Sequence, residues 1–336
     1  MNSLLRRRDG APRPAVLRAC LVALLALLPV AGAARAADGE LGALLAPGAQ
    51  PARVAYGANF AEGPAWSPSG HLLFIDIRGQ AILRIDDEAT GTTTVVQKPS
   101  GGASGLTFDA AGRLYASQGG TRRVVRFDYP AMMKTEVLAA DFAGAPLNSP
   151  NDLTLDPHGG VYFTDPARRG GRPREQPVTG VYYVDLVNGE VRRVIDDLEY
   201  PNGIRVSDDG KDLYVADSRH RRVWRFDIVA PGHLGARSLF YQADPELDDA
   251  GPDGLALDAR GNVYATYRGI VVIARDGHLV GRIPLDERPS NCTFGGSDGK
   301  SLYVTTRSGV YRIALQVAGQ MPFPGTSPAG PAPSAR

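Results

Sequence analysis

Six oxygen-bearing side chains stand eight residues ahead of six glycines: Glu62 before Gly70, Ser104 before Gly112, Asn151 before Gly159, Asn202 before Gly210, Asp253 before Gly261 and Asn291 before Gly299. Two carboxylates, three amides and one hydroxyl recur at one offset, and no His or Cys occupies it. Hard oxygen donors of this kind suit Ca²⁺ or Mg²⁺ better than zinc, and a wide ring with room for water suits the larger Ca²⁺. The competing reading is that each is a polar cap on a strand start, bonded to its own backbone. A cap explains one Asn well; it does not explain six positions in register.

The elements that must position these residues are hairpins. Each glycine lies in a turn between two short alternating strands, as in "DLTLDPHGGVYFTD" ending at Asp165 and "GLALDARGNVYATY" ending at Tyr267. The six turn glycines are 42, 47, 51, 51 and 38 residues apart. Further strand patterns follow the copies, including "VVRFD" at 124–128 and "GVYRI" at 309–313. Three to four strands per ~45 residues is the period of a propeller blade. The expected fold is therefore all-β, a single-domain six-bladed β-propeller over residues 50–317. A long β-sandwich would not need six copies of one hairpin. In a propeller the first strand of each blade lines the central channel, so equivalent positions form a ring around the axis. "ARVAYG" at 52–57 is expected to complete the last blade and remove an exposed edge. Asp109, Asp156, Asp209 and Asp258 lie in the hairpin turns and read as turn-formers.

The ends of the chain differ from its middle. Residues 1–36 carry Arg6, Arg7 and Arg8, an apolar core "CLVALLALLPVAGA" and then "ARA". This reads as a signal peptide cut near Ala36, giving a periplasmic or secreted protein. The apolar run is short of the ~20 residues that span a bilayer, so stable membrane insertion is not expected. Residues 37–49 form an N-terminal segment, and the Pro/Ala/Gly-rich residues 318–336 read as a disordered tail. Of 37 basic and 36 acidic residues, cleavage at Ala36 removes six Arg and one Asp, leaving 31 and 35, a net charge of −4. No basic surface for nucleic acid is implied. Cys292 is then the single cysteine, which excludes an intramolecular disulfide. No Gly-rich phosphate loop, GxSxG elbow or HExxH is present.

"EGPAW", "SPNDL", "YPNGIRVSDDG" and "GPDGLALDARGNVYAT" resemble the senescence-marker-protein/gluconolactonase/luciferin-regenerating family over residues 55–315. The resemblance implies a propeller with one divalent cation, often calcium, and activity on sugar lactones. It implies Glu62, Asn202 and Asp253 as metal ligands, Asp253 also as catalytic acid/base, and Asn151 at the substrate or the cation. Ser104 and Asn291 complete the ring and are assigned to substrate instead of metal. In regucalcin-type members an Arg stands two residues before the Asn; here Ser149 does. Arg168, in the Arg-rich stretch 167–180, is the candidate replacement; a solvated loop is the alternative. The expected function is a metal-dependent lactonase with a small-molecule lactone substrate. Aryl-ester or phosphotriester hydrolysis in the same site, or a ligand-binding propeller with structural calcium, are the alternatives. Oligomeric state and the identity of the lactone are not legible.

Overall fold

The computed structural model describes residues 39–167 and 173–321. Six four-stranded antiparallel sheets follow one another along the chain. The first runs outward from Ala61–Trp66 through Leu72–Asp76 and Ala81–Asp87 to Thr92–Gln97. The next four open on Ala103–Phe108, Leu153–Asp156, Pro201–Val206 and Leu255–Leu257. The sixth comprises Pro289–Gly295, Ser301–Thr306 and Gly309–Ala314, and its outermost strand is Ala52–Tyr56 from the other end of the chain. Ala52 pairs with Arg312 and Tyr56 with Gly309. This closure hydrogen-bonds an edge that would otherwise stay open.

Burial explains why the sheets form a ring. The buried apolar residues fall into six clusters, each built between two consecutive blades. Ile75 and Ile82 of blade one meet Leu106 and Phe127 of blade two. Phe74 of blade one meets Tyr303 and Val310 of blade six, which completes the circle. Alternating strands present one apolar face to each neighbour, so each sheet is buried on both sides. Cys292 is fully buried in the cluster between blades five and six, and burial pushes its thiol up to about 12.

The hairpin glycines predicted from the repeat all have positive φ, between 67° and 101°. A side chain there would strain the turn. The turn aspartates cap their own loops: Asp109 accepts the Ala111 and Arg113 amides, and Asp258 accepts those of Arg260 and Asn262.

One boundary moves. Residues 318–321, expected to open the tail, are held by the propeller. Gly319 bridges Asp258, the Gln320 amide reaches the Leu257 carbonyl at 2.8 Å, and Met321 packs on two apolar clusters. The signal segment at 1–36, the rest of the tail and Arg168 lie outside the described residues. Among those described, no helix is long and apolar enough to cross a membrane.

Candidate active site

The inner strands are irregular where the ring residues sit. Register slips between Glu62 and Ala65, Ala103 and Gly105, Pro201 and Ile204, and Pro289 and Asn291. In blades three and five the inner strand instead starts two residues late, at Leu153 and Leu255. There the ring residue's amide still donates to the neighbouring strand, Asn151 to the Thr164 carbonyl at 2.9 Å and Asp253 to the Thr266 carbonyl at 3.0 Å, and the Asp253 carbonyl accepts the Gly203 amide at 2.9 Å. A bulge or late start frees a side chain from strand alternation and re-aims it. This is how short polar residues of low strand propensity come to open these strands.

Glycine sets the spacing of the ring. Glu62, Ser104, Asn202 and Asp253 are each followed by Gly. A Cβ on Gly63 would fall 2.5 Å from the Ser104 carbonyl, and one on Gly105 2.8 Å from that of Asn151. On Gly203 it would overlap the Asp253 carbonyl, and on Gly254 the Asn291 side-chain oxygen. Each glycine thus lets the next blade's ring residue approach.

Charge in the centre is unbalanced. Glu62, Asn202 and Asn291 are buried. Burial, and then the charge of Asp253, hold the Glu62 carboxyl well above the usual carboxylate range, against the Gly63 amide and Asn291, which pull it down. Asp152, one residue beyond the ring position of blade three, is also buried and influences Glu62. Burial raises its carboxyl too, opposed mainly by Arg205. Asn291 donates its amide to Asp152 from the opposite blade, at 3.5 Å. Three acids face one guanidinium. The remaining two negative charges are costly in a setting this enclosed, and one divalent cation would offset them. The donor set fits such an ion: Glu62, Asp253 and the oxygen of Asn202, with Asn151 within the same ring. Among the described residues no three His, Cys, Asp or Glu side chains stand close enough to hold an ion by themselves, so a cation here would need amide oxygens as well.

Ser104 and Asn151 open onto a cleft of about 460 Å³ beside the ring, with Ser149, Tyr200, Ile77, Pro99, Thr121 and a wall of four glycines. Glu62, Asn202, Asp253 and Asn291 do not line it. The Ser104 hydroxyl donates to the Asn151 carbonyl at 2.8 Å, so Ser104 restrains its neighbour as well as facing the cleft. Among the described residues, none that lines the cleft is charged.

Asp152 and Arg205 escaped the sequence reading, and both left a signal. Asp152 occupies the place that glycine fills in four blades. Arg205 stands three residues after Asn202; the corresponding positions are Ala65, Thr107, Thr154, Ala256 and Phe294, and all six line a cavity at the turn end of the channel. Arg205 is the one charged member of that layer.

A profile described as "SMP-30/Gluconolactonase/LRE-like region" matches residues 60–308. A gluconolactonase of Zymomonas mobilis is 28% identical over 292 residues, 79% of this chain and 81% of that protein. Regucalcin of Xenopus laevis is 29% identical over 258 residues, 73% of this chain and 82% of that protein. The solved gluconolactonase XC5397 of Xanthomonas campestris superposes with a TM-score of 0.74 at 29% identity, covering 82% of this chain and 92% of that one. With the profile spanning five blades and the two inner strands of the sixth, well over half of the chain, the chain belongs to the SMP-30/gluconolactonase/LRE-like family.

Proposed function

We propose that this protein is an exported, calcium-dependent lactonase. The observation that carries the reading is the buried Glu62 carboxyl, raised in part by the charge of half-buried Asp253, in a ring that adjoins a cleft with no charged side chain among the described residues, in a chain whose relatives include gluconolactonases. Glu62, Asn202 and Asp253, with Asn151, are the residues that would hold the cation. Bound there, the cation supplies Lewis-acid polarisation of a lactone carbonyl.

The chain's own residues do the rest. Asn151 and Ser104 orient the ring of the substrate from the cleft wall. Asp253 takes a proton from the attacking water at a side-chain oxygen and returns it to the alkoxide that leaves when the acyl–oxygen bond breaks. Tyr200, Ile77 and Pro99 cover the sugar face and exclude bulk water.

The test is a pH-indicator screen of purified protein against a lactone panel, with calcium and with a chelator. Calcium-dependent acid release from a neutral lactone is expected. Release from aryl esters alone would transfer the site to the ester-hydrolase reading, and release from neither would leave a binding propeller. Export is tested by N-terminal sequencing of the mature chain, which should start near Ala37.

A further inference from the structure

The segment that carries Ser149 and Asn151 is not a strand, yet it is firmly held. Asp165, fully buried at the end of strand Gly160–Asp165, accepts two consecutive amides. One of its oxygens takes the Asn148 amide at 2.8 Å and the other takes that of Ser149 at 2.6 Å. From the other side Arg122 donates to the carbonyls of Leu147, at 3.0 Å, and Asn148. The Asn148 side chain in turn accepts the amides of Glu175 and Gln176 and donates to the Val178 carbonyl. Two residues further along, Asn151 is hung on the Thr164 carbonyl, adjacent to Asp165.

We propose that Asp165 is a positioning residue, whose carboxylate sets the place of Ser149 and Asn151 in the wall of the substrate cleft. The inference rests on the lactonase reading for its consequence in turnover, though not for its geometry. An ionised carboxylate is the one side chain of this size that accepts on both oxygens. Asparagine keeps one acceptor and points an N–H₂ at the second amide, leaving it buried without a partner. Burial raises the Asp165 carboxyl to about 6, opposed by the two amides and by Arg122, so at neutral pH the clip is ionised and both amides are met. Glu62, Asn202 and Asp253 lie on other blades, so of the residues that would hold the cation this clip reaches Asn151 alone.

The experiment compares wild type with Asp165→Asn at saturating calcium, using glucono-δ-lactone as probe. KM is expected to rise about tenfold, the lower end for losing a supporting contact, while kcat at saturating calcium changes less than threefold. Amide exchange of a peptide covering 147–153 should quicken, with the inner strands of blades one and five unchanged. A role in stability alone would lower Tm and leave KM and this local exchange untouched, and that result overturns the proposal. If Asp165→Asn does not fold, Arg122→Gln loosens the same segment from its carbonyl side; an unchanged KM and exchange there also overturns it. Should the wild type open no lactone, the functional reading fails, while the exchange comparison still decides whether Asp165 fixes the segment.

Discussion

Asn202 donates its side-chain amide to the Ser218 hydroxyl at 3.0 Å, and that hydroxyl donates onward to the Pro252 carbonyl at 2.5 Å. Ser218 therefore joins the ring residue of blade four to the residue preceding Asp253. With its N–H₂ committed to Ser218, Asn202 keeps its side-chain oxygen for the cation that the proposed function requires. Ser218→Ala should weaken calcium binding about tenfold by calorimetry, as for other groups that orient a ligand, with little change in Tm. An unchanged affinity would show that the Asn202 amide is held by other means.

Glu62 gives a prediction with opposite signs in two conditions. Its carboxyl is destabilised by burial and by Asp253. Glu62→Gln removes a buried like charge, so without calcium the variant should melt above wild type. With calcium it should bind at least ~10-fold more weakly, because site affinity follows ligand charge, and melt below it. Ser104→Ala, which alters a hydroxyl that restrains the Asn151 backbone, should leave calcium affinity unchanged.

Asp253→Asn keeps the shape and one oxygen but removes the base. At saturating calcium kcat should fall by ~10²-fold or more, the usual size of a lost general base. Turnover near that of wild type would assign proton removal to another group.

The pH dependence of stability has a sign fixed by Asp165. Its carboxyl is raised from the ordinary 3.8 to about 6, so the folded state holds the proton more tightly than the unfolded chain. Its contribution is fully present below pH ~4 and is lost as pH rises through 6, about 3 kcal/mol in all at 1.36 kcal/mol per unit. Denaturant unfolding in calcium between pH 4 and 7 should show that slope. Asp165→Asn, which cannot titrate, should flatten it.

Much of the fold was legible because a propeller repeats. One hairpin written six times gives blade number, turn positions and the ring offset, and Ala52–Tyr56 reads as the missing sixth edge. The charges beside the ring were not legible in the same way. Asp152 gains its importance from Asn291, 139 residues away on the facing blade, and from Arg205. Asp165 reads as the ordinary end of a strand until folding brings the 148–149 amides onto it. The start of the tail was misplaced because composition is blind to pairing: Gly319 and Gln320 look like linker, but open backbone positions at Leu257 and Asp258 receive them.

The glycines that follow four ring residues make the circumference of the ring a property of the main chain. At Gly63, Gly105 and Gly203 the main chain meets the next blade's carbonyl with no side chain as spacer, and at Gly254 it meets the Asn291 side chain, so at three of these four junctions the spacing does not depend on which donor stands there. Exchanging the donor at one of those three junctions changes charge and ligand type on a frame that does not resize. Enlarging one of the glycines has the converse effect: Gly254→Ala leaves every donor in place by name and drives Asn291 out of its seat. In this architecture the chemistry of the centre is variable and its dimensions are inherited.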